Sequence, residues 1–176
     1  MSAPATRRPP SEEECAAADG RATFASLRPR LDELVARYPV RGAALLPVLW
    51  EVQTARGWLT PGSIREIAGY LQVPQAQVEG VVTFYTMFRD RPTGREVVMV
   101  CKTLSCRLRG AQEVIDALEA RFDIEMGGTT ADGRYTIETG ECLGLCDMAP
   151  CMLVVDSDRY GDLTPESAVR HLEERA

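Results

Sequence analysis

Histidine occurs once in the 176 residues, as His171, and that scarcity removes most acid–base and triad chemistry from the chain. His171 falls on a C-terminal helical stretch with no nucleophile patterned around it and reads as a surface residue. Phosphate-cradling loops are missing as well. No G-x-G-x-x-G follows a strand and no G-x-x-x-x-G-K-S/T is present, so no pocket for NADH or flavin phosphates is expected on this polypeptide. A C-x-x-C pair is absent, which argues against a dithiol redox site of the thioredoxin type. The longest apolar runs, AALLPVLW and VVMV, fall far short of the ~20 residues needed to span a bilayer, so direct membrane insertion is not expected. The opening MSAPATRRPPSEEEC holds two arginines but no apolar segment; no secretory signal is read there, and the chain is placed in the cytoplasm. Basic charge is also in deficit. Lys+Arg number 20 against Asp+Glu 26, a net charge of -6, and this balance disfavours nucleic acid as a partner.

What the chain does have is cysteine in a pattern. Cys101 and Cys106 stand in VCKTLSCRLRG, Cys142 and Cys146 in ECLGLCDMAP, giving C-x4-C, an interval of 35 residues, then C-x3-C. Each pair is close enough in sequence for two thiolates to reach one metal ion, and the interval can fold back to bring the pairs together. Zinc knuckles favour two intervening residues, because that tight turn aims both sulfurs at a single tetrahedral ion. A 2Fe-2S cluster takes two cysteines per iron and accepts looser pairs. The spacing therefore favours an iron–sulfur centre, with structural zinc next and disulfides disfavoured by a reducing compartment. Cys15 lies far from these four in sequence and reads as a bystander.

Residues 1–22 are rich in Pro, Ala, Glu and Arg, too poor in large apolar side chains to offset ordering entropy, and are expected to form a mobile tail. From 23 to 91 the hydrophobic period is helical. Leu27, Leu31, Leu34, Val35 and Tyr38 form one stripe, and Leu45, Leu49 and Val52 a second that ends at Gly57. Thr60 and Pro61 open a third helix, and Pro74 a fourth carrying Val78, Val81 and Val82. Of the aromatics Trp50, Trp58, Tyr70, Phe84, Tyr85 and Phe88, most are expected in the core of this bundle, with a docking surface as the alternative.

The grammar changes after 92. Val97–Val100 reads as a strand that delivers Cys101 at its C-terminal end, the edge at which open α/β sheets place their sites. A helix follows Gly110, strands follow at 134–138 and 152–155 with a short one at 159–160, and a closing helix starts at Thr164-Pro165. Cys151 begins a strand and is expected to be an inward, inert thiol. The overall class is α+β, an N-terminal helical bundle followed by a domain with the element order of half a thioredoxin.

The stretches GWLTPGSIREIAGYL, VEGVVTFYTMF, PTGR, VCKTLSCRLRGAQEV, TTADGRYT, ECLGLCDMAP and DLTPE together resemble one family, the thioredoxin-like 2Fe-2S ferredoxin subunit of the NADH dehydrogenase module of respiratory complex I. The resemblance covers nearly everything from Leu27 to Leu172. It implies one 2Fe-2S cluster on Cys101, Cys106, Cys142 and Cys146, and a thioredoxin-like domain over 92–176. It also implies a flavin- and NADH-binding partner subunit that carries the FMN, in a peripheral arm on the cytoplasmic face of the membrane. The equivalent subunit of an NAD-dependent formate dehydrogenase or hydrogenase is the alternative within this class, and a zinc-bound structural adaptor the alternative outside it. Lys102, Arg107 and Arg109 are close to the first pair in sequence, so neutralising either arginine is expected to lower the centre's reduction potential.

Overall fold

The computed structural model describes residues 10–175, which divide into two compact units with the boundary in the chain between Pro92 and Thr93. Among the described residues of the first unit five α-helices run in order, α1 (Glu12–Arg21), α2 (Phe24–Val35), α3 (Leu45–Arg56), α4 (Pro61–Leu71) and α5 (Gln75–Phe84), with a 3-10 turn at Arg41–Ala44 leading into α3. Their ends follow local chemistry. Thr23 and Thr60 cap α2 and α4 by accepting an N–H three residues on, Pro61 occupies the first turn of α4, and Gly57 at φ 91° closes α3. Leu31, Val48, Leu49, Val52, Ile67 and Val78 are fully enclosed in a single apolar core between α2, α3, α4 and α5.

The helical unit departs from the sequence expectations at three places. The mobile tail of 1–22 does not extend over Glu12–Arg21, which are helical; residues 1–9 of that segment lie outside the described residues. Apolar content was the wrong signal for α1, because polar contacts hold it. Ser11 and Glu14 cap its start reciprocally, and Asp19 near its end accepts from Arg56 at 2.9 Å and from the Thr60 hydroxyl at 2.8 Å. The Arg56 guanidinium is 1% exposed and also donates to the Ala22 carbonyl, Ser63 and Glu66, so the buried charge is fully partnered. Among the aromatics, Trp58, Tyr70 and Phe88 are buried as expected, but Trp50, Tyr85 and above all Phe84, at 75%, are exposed. Phe84 ends α5 off its buried face, where Val78 and Val82 are enclosed. The first stripe is likewise shorter than read: α2 stops at Val35 and leaves Tyr38 exposed.

The second unit is built on a five-stranded sheet. Its elements are β1 (Glu96–Cys101), α6 (Leu104–Leu108), α7 (Ala111–Phe122), β2 (Gly128–Thr129), β3 (Tyr135–Gly140), β4 (Met152–Val154), β5 (Arg159–Tyr160) and α8 (Pro165–Glu173). The spatial order is β2-β3-β1-β4-β5, with β1 parallel to β3 and antiparallel to β4. Alternate residues of β1, Val98 and Val100, join Ile137, Met152 and Val154 in a core completed by Val114 and Leu118 of α7 and Ala168 and Leu172 of α8. This pairing positions the site. Cys101 ends β1 opposite Gly140, the last residue of β3, and the Cys101 N–H donates to the Cys151 carbonyl at 3.1 Å just before β4. Both cysteine-bearing loops therefore leave the sheet at one edge.

Candidate metal centre

Cys101 ends its strand with the side chain on the opposite face from Val98 and Val100, and the short helix α6 brings Cys106 back beside it. Both thiols are 1% exposed. The other loop runs from Gly140 through Cys142 to a 3-10 turn at Cys146–Met148, bent by Gly144 at φ 77°. Cys142 and Cys146 are exposed, with their sulfurs 3.6 Å apart. Bonds of about 2.3 Å at tetrahedral angles set two sulfurs on one ion roughly 3.8 Å apart. The pair thus already has the spacing of two ligands on one metal.

The two loops lie against each other. Leu143 and Leu145 of the second loop pack on the buried group that holds Cys101 and Cys106. The expected four thiols stand as a buried pair and an exposed pair on adjoining loops, and among the described residues the sulfurs that all lie within 4.8 Å of one another include Cys101 and Cys106 but neither Cys142 nor Cys146. A fifth thiol joins the buried pair. Cys151 is 1% exposed, and its sulfur lies with those of Cys101 and Cys106 in a group whose members are all within 4.8 Å of one another. Cys15 lies on α1 in the helical unit, and His171 stacks on Tyr160 at 4.4 Å between ring centroids.

The electrostatics separate these thiols. Burial pushes Cys101 up, but the Thr103 hydroxyl at 3.1 Å, the Thr103 N–H, Cys106 and the Leu143 N–H all favour its thiolate and together hold it below the ordinary cysteine value. Cys106 is raised by burial and then by the neighbouring Cys101. Cys146 is raised first by its hydrogen bond with Cys142 and then by the negative charge that Cys142 would carry beside it. Burial raises Cys151 furthest. Of the thiols that shift, Cys101 alone is eased towards its thiolate, while Cys106, Cys146 and Cys151 are held towards the thiol. Thr103 was not singled out in the sequence, although a hydroxyl two positions beyond a ligand in extended chain falls on the same face as that ligand.

A sheet edge that carries cysteine thiols on two adjoining loops offers a soft donor set, and an iron–sulfur cluster fits it. A family model for the thioredoxin-like 2Fe-2S ferredoxin matches residues 31–176, and the chain belongs to that family. It is 39% identical over 149 residues to the E subunit of NADH-quinone oxidoreductase from Escherichia coli, covering 85% of this chain and 89% of that relative. The corresponding protein from Pseudomonas aeruginosa is 40% identical over 131 residues, 74% of this chain and 78% of the relative. Among solved structures, the NAD+-reducing NiFe-hydrogenase in its air-oxidized state shares the fold with a TM-score of 0.61 at 23% identity, over 74% of this chain and 22% of that one.

Proposed function

We propose that this chain is the one-electron carrier subunit of an NADH:quinone oxidoreductase, with a single 2Fe-2S cluster on Cys101, Cys106, Cys142 and Cys146. The observation that carries this reading is that the C-x4-C and C-x3-C loops leave the sheet at one edge, with Leu143 and Leu145 of one loop packed against Cys101 and Cys106 of the other. When bound, the cluster supplies reversible storage of one electron. The chain's part is to hold its charge. Cys101, Cys106 and the apolar side chains of Ala111, Ala149, Leu143 and Leu145 keep water from the inner half of the site. Thr103 and the backbone N–H groups offer dipoles to the sulfurs.

The partner is a flavin- and NADH-binding subunit carrying FMN, in a peripheral arm on the cytoplasmic face of the membrane. Leu104 and Leu108, one helical turn apart on either side of Cys106, are 72% and 78% exposed, and Met148 beside Cys146 is 41% exposed. Apolar side chains presented around an electron-transfer centre suit burial against another polypeptide. Within the described residues no helix is long and apolar enough to cross a membrane, in keeping with attachment through other subunits.

Anaerobically purified protein should contain iron and acid-labile sulfide in equal amounts and give an electron paramagnetic resonance signal after reduction with dithionite. Serine at Cys101, Cys106, Cys142 or Cys146 should lose or alter that signal, and serine at Cys15 should not. A folded chain that holds zinc and no sulfide would establish the structural-adaptor reading instead. Recovery of the native chain with a formate dehydrogenase or hydrogenase, rather than with quinone-reducing subunits, would move it to that other assembly.

A further inference from the structure

We propose that Cys101, Cys106 and Cys151 form a second metal site, which in the cluster-free chain binds one soft, filled-shell cation of the zinc and copper(I) class. The site goes beyond the four-cysteine centre, because it shares the inner pair with that centre but replaces the exposed pair by Cys151. Three observations carry it. The sulfurs of the three residues lie within 4.8 Å of one another, and Cys106 and Cys151 are 3.7 Å apart, close to the roughly 3.8 Å expected for two thiolates on one ion. All three residues are 1% exposed, so a bound ion would be shielded from water and competing chelators.

The third observation is rigidity. Cys151 is placed by the hydrogen bond from the Cys101 N–H to its carbonyl at 3.1 Å, where β4 starts its pairing with β1, and the walls around the sulfurs are Ala111 and Ala149. The sheet therefore fixes Cys151 against Cys101, and α6 returns Cys106 to within 3.7 Å of Cys151, before any ion arrives. Binding releases the thiol protons and leaves three sulfur ligands about the ion. Such an ion would occupy two ligands that the iron–sulfur cluster needs. The chain would then be vulnerable to zinc or copper before its cluster is inserted.

The test uses the full-length, reduced, cluster-free protein under anaerobic conditions, with Cd2+ as the probe. In the Cys142→Ser/Cys146→Ser background the four-thiolate centre cannot form, so the result is independent of the cluster reading. That background should bind one Cd2+, with a thiolate-to-cadmium charge-transfer band and three sulfur neighbours by X-ray absorption. Adding Cys151→Ser should remove one sulfur neighbour and weaken binding at least about tenfold. An unchanged sulfur count and affinity after Cys151→Ser would overturn the proposal, as would failure of the folded double variant to bind Cd2+. Near-ultraviolet circular dichroism reports folding, and Cys142→Ala/Cys146→Ala supplies a second background if the serines prevent it.

Discussion

The Thr103 hydroxyl lies 3.1 Å from the Cys101 sulfur, and a donor so placed favours negative charge on that sulfur. A cluster gains negative charge on reduction, so Thr103→Val should lower its reduction potential. A net hydrogen bond of about 0.5–1.5 kcal/mol corresponds to roughly 20–65 mV for a one-electron couple. An anaerobic redox titration followed by electron paramagnetic resonance would check this, and an unchanged potential would remove Thr103 from the site's electrostatics. The nearby arginines now differ from each other: Arg109 faces Asp162 at 4.0 Å, which offsets its charge. Arg107→Gln should therefore lower the potential more than Arg109→Gln in the same titration. At this scale the closeness of the sulfurs within each cysteine pair was legible, because C-x4-C and C-x3-C are local in sequence. The neighbourhood of Cys151 was not legible, since its approach to Cys106 depends on the register of β4 against β1.

At the scale of the element, the turn that carries Cys146 is held from behind. Asp162 donates its N–H to the Met148 carbonyl at 2.7 Å, and a Cβ on Gly161 would meet the Met148 Cβ at 2.4 Å and its carbonyl oxygen at 2.8 Å. Backbone and Cβ cannot swing aside as a side-chain tip can, so Gly161→Ala should displace Cys146–Met148. The expected outcome is faster loss of visible absorbance under a chelator, while far-ultraviolet circular dichroism is retained. Elements with an apolar stripe and a cap, such as α4 with Thr60, Ile64, Ile67 and Leu71, were legible in the sequence. By contrast, α1 was missed because its anchor is a network on Arg56 from α3. Helix α6 was missed because 5 residues are too short to show a helical period.

Over the whole molecule, the two units have separate apolar cores, one around Leu49 and Ile67 and one around Val100 and Leu118. Leu49 is fully buried, so Leu49→Ala should cost the helical unit about 2–5 kcal/mol. A urea titration followed by far-ultraviolet circular dichroism should show that loss, with the absorption spectrum of the metal centre preserved.

The thiols at the sheet edge differ sharply in access, since Cys142 and Cys146 are exposed while Cys101, Cys106 and Cys151 are buried. A metal arriving from solvent would therefore meet the outer loop first, and only afterwards the inner thiols against which Leu143 and Leu145 pack. Repair and damage would follow the same route, with small oxidants meeting the outer half before the inner one.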